Sequence, residues 1–118
     1  MNEKDWKLYS AIRPWAHERL CARIMDEVER TVLDKSKAPY ERFEEVEKLM
    51  KAGKKELYWA FDSVNHSRSN ADLQFEGLCV RGLITAQELE GFSEQTQLEI
   101  KRYMERRAER SIEDLEAE

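Results

Sequence analysis

The sequence is poor in glycine, proline and cysteine, and it contains no long apolar run. Its 118 residues include four Gly, two Pro and two Cys. So few glycines and prolines leave little material for turns, and only five Val and five Ile argue against a β-rich fold. No apolar segment approaches the ~18 residues of a membrane span, and residues 1–5 lack the pattern of a signal peptide. We therefore expect no membrane-spanning segment.

The cysteine count and the charge balance narrow the class of protein further. Two cysteines do not build a disulfide framework, which indicates a reducing compartment and predicts a cytoplasmic location. The 25 acidic and 20 basic residues give a net charge of −5. An acidic chain lacks the overall positive charge of a typical nucleic-acid-binding domain, so composition argues against nucleic acid as the main partner.

Apolar residues recur at helical rather than alternating spacing along the chain. The predicted fold is all-α, a compact bundle of four to five helices that forms one domain over residues 1–118. We expect Asp5 to cap a short first helix and Pro14 to begin a second, because proline suits the first turn of a helix. A third helix over about 39–52 would end at Gly53.

The most regular pattern lies between residues 55 and 81. Seven positions there step by alternating intervals of four and three: Leu57, Phe61, Val64, Arg68, Ala71, Phe75 and Leu78. This heptad spacing predicts one long central helix over about 55–81, ~40 Å in length. The competing interpretation is a break at 66–70, where most residues are poor helix formers. On a continuous helix Arg68 would lie on the apolar seam, where we expect it to pair with a carboxylate such as Asp72 or Glu76 or to bind an acidic group of a partner.

Capping residues mark the boundaries after residue 81. Gly82 fits a left-handed C-cap, with Leu83 as its apolar contact. Residues 85–88, Thr-Ala-Gln-Glu, have the pattern of a capping box, which predicts a short helix over about 86–90. Ser93 would cap the last helix, whose apolar positions include Leu98, Met104, Ala108, Ile112 and Leu115.

The sequence contains no strong catalytic or metal-binding motif. His17 and Cys21 stand four residues apart on one helix face, and His66 with Cys79 could complete a zinc site, yet the chain lacks closely spaced cysteine pairs. Residues 82–88 have the spacing of the back half of an EF-hand loop without the carboxylates of its front half. With no phosphate-binding glycine loop or nucleophile elbow either, we expect no enzyme activity, no metal and no cofactor.

Aromatic and basic side chains are the candidates for partner binding. The partner-binding candidates are Trp6, Tyr58, Trp59, Arg68, Arg102, Arg106, Arg107 and Arg110. Trp15 is expected in the core instead. Residues 101–110 form the one basic stretch, with a net charge of +3, in which Glu105 and Glu109 would pair with arginines of the same helix.

These candidates predict a non-enzymatic interaction or regulatory protein that binds a protein partner through helix surfaces. Two alternatives stay open: a nucleic-acid-associated protein that uses residues 101–110, and an acidic inhibitor that mimics nucleic acid. A ~40 Å helix would carry more apolar surface than the rest of so small a domain can cover, so we also expect a homodimer. If residues 66–70 bend that helix, the chain could instead close on itself as a monomer.

Three short sequence blocks occur together in this chain. They are DWKLY at 5–9 with PW at 14–15, SRSN at 67–70, and GLIT at 82–85 followed by EL at 88–89 and GFS at 91–93. With these blocks the chain resembles a group of small uncharacterised helical proteins found in Gram-positive gut-type bacteria and their mobile elements. The resemblance implies a bacterial or phage-associated cytosolic protein and carries over no site residue.

Overall fold

The structure is a computed structural model that describes residues 1–117. These residues form five α-helices and one π-helical turn, and they contain no strand. The elements are α1 (Glu3–Leu33), α2 (Pro39–Leu57), the π-helical turn (Tyr58–Asp62), α3 (Ala71–Val80), α4 (Ala86–Glu90) and α5 (Glu94–Ala117). The predicted all-α class is confirmed, and so is the short capped helix at 86–90.

α1 is one helix of 31 residues that passes through Pro14, so the predicted boundary at Pro14 is wrong. An interior proline costs a helix one backbone hydrogen bond. Here the residues on both sides of Pro14 are anchored in the same core: Tyr9, Ile12, Ala16 and Leu20 are all buried. Burial of that continuous face outweighs the missing hydrogen bond and keeps the helix intact.

The N-terminus of α1 is capped by Asn2 rather than by Asp5. The Asn2 side-chain oxygen accepts a hydrogen bond from the Asp5 backbone N–H at 2.8 Å. The Asp5 side chain is therefore available for another contact, although it is completely buried.

α2 is longer than the predicted 39–52, because Gly53 lies inside the helix and does not end it. Gly53 is buried where α2 approaches α1. A Cβ at this position would lie 2.8 Å from Ile24 Cγ2, closer than side chains tolerate. The glycine is thus required by the close approach of two helices, a constraint that the local sequence does not reveal.

The predicted long helix over 55–81 is not formed. The chain leaves the π-helical turn at Asp62 and becomes helical again at Ala71, so the competing interpretation, a break around 66–70, is confirmed. Tyr9 donates a hydrogen bond to Gln74 Oε1 at 2.8 Å, and Gln74 Nε2 donates to the Val64 carbonyl at 2.9 Å. These buried contacts satisfy a backbone group of the loop and hold the loop against α1.

The core lies where the first two-thirds of α1 meet the π-helical turn, α3 and the beginning of α5. Its buried members are Tyr9, Ile12, Ala16, Leu20, Ala60, Phe61, Ala71, Phe75, Leu78, Cys79, Leu83, Phe92 and Ile100. Phe75 and Phe92 stack with ring centroids 4.4 Å apart. Both sides of the 63–70 loop therefore contribute to one core.

The end of α3 has the predicted glycine cap. Gly82 adopts a φ of 70°, which a residue without a Cβ adopts at little cost. The Gly82 N–H donates to the Cys79 carbonyl and the Leu83 N–H to the Leu78 carbonyl, each at 3.0 Å. Leu83 is fully buried, as expected for the apolar residue that follows such a cap.

An ion pair attaches α4 to α1. The Arg19 guanidinium binds both carboxylate oxygens of Glu88, at 2.6 and 2.9 Å, and also donates to the Leu83 carbonyl at 2.9 Å. Glu88 completes the capping box by accepting from the Thr85 N–H at 2.9 Å. The hydrogen bonds from Arg19 lower the pKa of Glu88 despite partial burial, so the carboxylate stays charged.

Asp5 attaches the beginning of α5 to the beginning of α1. Its carboxylate accepts hydrogen bonds from the Ser93 N–H at 2.9 Å, the Ser93 hydroxyl at 2.6 Å and the Thr96 hydroxyl at 2.7 Å. Burial raises the pKa of Asp5, but these hydrogen bonds together with the charge of Lys4 outweigh it and leave the pKa below its usual value. The charged form is therefore the one that stabilises the fold.

Replacement of Asp5 by alanine should lower the free energy of unfolding by about 3 kcal/mol, because it leaves buried donors on Ser93 and Thr96 without an acceptor. Asp26→Ala, at an exposed position of α1, is the matched control and should change the free energy of unfolding by less than about 0.5 kcal/mol.

The contribution of Asp5 to stability should depend on pH. Since the folded-state pKa of Asp5 is lowered, its contribution is present above the usual value of 3.8 and is lost as the pH falls below it. Urea unfolding measured at pH 7 and at pH 3 should show that the difference in free energy of unfolding between wild type and Asp5→Ala is smaller at pH 3. An equal difference at both pH values would contradict stabilisation by the charged form of Asp5.

Two glycine-to-alanine substitutions should change stability in opposite directions. Gly53→Ala should destabilise the protein by about 1 kcal/mol, because the clash with Ile24 exceeds the gain in helix propensity. Gly77→Ala, inside α3, places its Cβ no closer than 3.6 Å to a neighbour and should stabilise by about 0.5–1 kcal/mol. Thermal unfolding followed by circular dichroism distinguishes them, and a stabilising Gly53→Ala would show that α1 and α2 are not in close contact there.

Candidate interaction surface

α5 extends far beyond the core. Its buried residues are Thr96 and Ile100, and from residue 101 to 117 every side chain is exposed except the half-buried Tyr103. We call residues 101–117 the outer segment of α5; it spans ~25 Å at 1.5 Å per residue. Isolated helices of about this length are marginal in water, because helices gain most of their stability from packing an apolar face.

The outer segment carries such an apolar face. Met104, Ala108, Ile112 and Leu115 follow one another at intervals of four, four and three residues, which places them on one side of the helix. We call these four residues the α5 stripe. Met104 is 44% exposed, Ile112 56% and Leu115 72%, so the stripe has no covering element within residues 1–117.

Where the α5 stripe reaches the body of the protein, it continues into an open groove. Leu89 of α4 forms one side of the groove, and Leu98, Ile100 and Met104 of α5 line the other. Glu94, Gln97, Lys101 and Glu105 also line the groove. Groove and stripe together form one elongated, mainly apolar surface on α5, and an apolar helix face of this kind is one that partner helices and grooves recognise.

The predicted basic residues lie on the other side of the same segment. The four arginines of the outer segment are all exposed, and helical spacing places them away from the stripe: Arg102, Arg106, Arg107 and Arg110. The predicted pairing of these arginines with Glu105 and Glu109 is wrong, because no ion pair within residues 1–117 involves either glutamate. The outer segment thus has an apolar side and a cationic side.

Tyr58 and Trp59 lie on the π-helical turn at the end of α2. Their rings pack edge to face with centroids 5.3 Å apart, and both side chains are about half exposed. π-helical turns inside α-helices frequently occur at functional sites. A partner-binding role for these two residues stays a prediction.

Trp6 and Arg68 both have partners within the chain. The half-buried Trp6 ring stacks on His66 with centroids 4.7 Å apart. Arg68 lies in the 63–70 loop and forms an ion pair with Glu3. The expectation that Arg68 pairs with Asp72 or Glu76 is wrong, because the broken helix removes it from the seam. Both side chains fasten the loop to the beginning of α1, and partner binding by either of them stays a prediction.

Trp15 is 64% exposed, so its predicted place in the core is wrong. The reason is the continuity of α1 through Pro14. The buried face of the long helix is set by Tyr9, Ile12 and Ala16, and Trp15 lies outside that face. Trp15 is consequently a further exposed aromatic side chain.

The side chains considered for zinc do not converge. Cys21 Sγ lies 3.8 Å from His17 Nδ1, which reflects their spacing on α1. His66 packs against Trp6, and Cys79 is buried in the core. Among residues 1–117 no three His, Cys, Asp or Glu side chains are arranged to hold a metal ion.

The sequence does not reveal two features of the structure: the exposure of the α5 stripe and the attachments made by Asp5 and Gln74. The α5 stripe is visible as a periodic pattern, but the sequence does not show that the body of the protein ends before it. The attachments made by Asp5 and Gln74 join segments far apart in the chain, and no local signal marks them.

Comparison of the chain with protein-family models, with curated proteins and with solved structures gives no match. The resemblance to small bacterial helical proteins therefore stays a prediction. No helix within residues 1–117 is both long enough and apolar enough to cross a membrane. Function has to be inferred from the geometry of the surfaces described above.

Proposed function

We propose that the protein is a non-enzymatic interaction protein whose main contact surface is the α5 stripe with its adjoining groove. The observation that carries this proposal is the 17-residue outer segment of α5, whose apolar side is not covered by any other element within residues 1–117. Proteins rarely leave a contiguous apolar surface of this kind uncovered unless it binds something. Anchors at intervals of three and four residues are the pattern by which helices are recognised.

The proposed partner is a protein, and the proposal includes self-association as a homodimer. The support for a dimer is not the one that the sequence suggested. The sequence-based prediction rested on the apolar surface of a continuous 55–81 helix, and that helix is broken. The uncovered apolar surface lies on α5 instead. Twofold dimers are the commonest way in which soluble proteins bury such a surface.

We further propose a cytoplasmic location in a bacterial cell. Cys21 and Cys79 are both free thiols, as is usual in a reducing compartment. The bacterial source is implied by the resemblance of the sequence blocks.

A second candidate function is binding of nucleic acid to the cationic side of α5. The observation that favours it is the set of four exposed arginines on one side of the outer segment. Binding of this kind weakens steeply as salt rises, whereas an apolar protein contact does not. The remaining alternative, an acidic inhibitor, is supported only by the net charge of −5.

The proposed surface can be tested with two charge-matched variants. Ile112→Glu with Leu115→Glu alters the stripe, and Arg102→Ala with Arg106→Ala alters the opposite side; each pair makes the net charge more negative by the same amount. All four positions are exposed, so circular dichroism should show both variants folded. Tagged proteins are used to capture partners from bacterial cells that co-express an untagged copy of the chain.

We expect wild type and the arginine variant to capture the same proteins, and the stripe variant to capture them at least about tenfold less, since two buried apolar anchors are worth well over 1.4 kcal/mol. Equal capture by all three proteins would contradict the proposed surface. Capture of nucleic acid that is lost only in the arginine variant, and that disappears at high salt, would favour the second candidate function instead.

A further inference from the structure

We propose that the partner covering the α5 stripe is a second copy of this chain, with the two α5 helices antiparallel. This inference rests on the proposed function, because it names the occupant of the same surface. It is carried by three observations: the distribution of charge along the outer segment, the order of small and large residues in the stripe, and the position of the groove.

Charge is distributed unevenly along the outer segment. Residues 101–110 contain five cations and two carboxylates, a net charge of +3, whereas residues 113–117 contain three carboxylates and no cation. In a parallel pair each segment would lie against its own copy, so like charges would face each other. In an antiparallel pair the basic part of one helix, residues 101–110, runs alongside the acidic part of the other, residues 113–117. The attraction between these oppositely charged parts favours this orientation and steers association.

The stripe is complementary to itself in the antiparallel orientation. A twofold axis between residues 109 and 110 places Met104 opposite Leu115 and Ala108 close to Ile112. Each small residue then meets a large one in two equivalent layers near the axis, which allows the helices to approach closely. In a parallel pair Ala108 would face Ala108, and the pair would leave a gap between two wider layers.

The outer end of the groove meets the partner in this arrangement. With Met104 opposite Leu115, the last described turn of the partner helix lies beside Lys101 and Met104, which line that end of the groove. The two protein bodies lie at opposite ends of the helix pair, separated by its length. A parallel pair would place both bodies at the same end, with each groove facing the other and nothing to fill either.

Disulfide trapping distinguishes the two orientations. Met104→Cys and Leu115→Cys are introduced separately into a Cys21→Ser background, with Cys79 retained because it is buried. The two proteins, one of them carrying a size tag, are mixed in equal amounts and oxidised in a glutathione buffer. The mixture is first incubated under native conditions, so that dimers of the two variants exchange subunits and mixed dimers form. After oxidation, peptide mass spectrometry identifies which residues are linked. Arg106→Cys, on the cationic side of the helix, is the matched control.

We expect the 104–115 disulfide to exceed the 104–104 and 115–115 disulfides by about tenfold, because only the first pair has its Cα atoms within disulfide distance. Dominant 104–104 and 115–115 products would show a parallel pair and overturn the antiparallel proposal. Cross-linking no greater than that of the Arg106→Cys control would overturn pairing with a second copy. The capture experiment separates failure of this inference from failure of the proposed function. If the Ile112→Glu, Leu115→Glu variant loses a captured protein other than the untagged copy of the chain, the α5 stripe is still a binding surface even though the antiparallel pair is ruled out.

Discussion

The buried carboxylate of Asp5 holds the first turn of α5 against α1, and this contact fixes the base of the helix whose later turns lie outside the core. It accepts three hydrogen bonds from Ser93 and Thr96 at the first turn of the helix. Phe92 stacks on Phe75 beside this contact, and Ile100 is the last residue of α5 in the core. The helix then continues without any covering element among the described residues. A polar contact in the interior thus fixes the base of a helix whose remaining length is left available for a partner.

α1 provides the frame to which the other elements are attached. Along its 31 residues, Asp5 binds the beginning of α5, Arg19 binds α4, and Arg23 donates hydrogen bonds to the carbonyls of residues 81 and 82 at 2.5 and 2.6 Å. Ile24 contacts α2 at Gly53. Because each attachment is made to the same rigid helix, the outer segment of α5 leaves the body in a defined direction. A contact surface held in this way loses little conformational entropy at its base when it binds.

The parts of the fold that depend on neighbouring residues were predictable, and those that depend on distant residues were not. The Gly82 cap and the 85–88 capping box involve residues three to five positions apart, and the structure confirms both. The heptad spacing at 55–81 predicted one continuous helix, and that prediction was wrong. Phe61 and Phe75 are both buried in one core, but they lie on opposite sides of the 63–70 loop and not on one helix. That loop is held by Tyr9 through Gln74, a contact between residues 65 positions apart. The spacing of the α5 stripe is likewise evident in the sequence, whereas its exposure follows from the long-range contacts of Asp5, Phe92 and Ile100 that hold only the base of α5 in the core.

Sedimentation equilibrium over a range of micromolar concentrations is the most direct test of whether the α5 stripe binds a second copy of the chain. The wild-type protein and the Ile112→Glu, Leu115→Glu variant are compared under the same conditions. We expect the wild type to approach the mass of two chains as concentration rises and to return to the mass of one chain on dilution. The variant should have the mass of one chain throughout, because a carboxylate buried in the stripe would be unpaired. A wild-type protein that keeps the mass of one chain at every concentration would contradict pairing through α5.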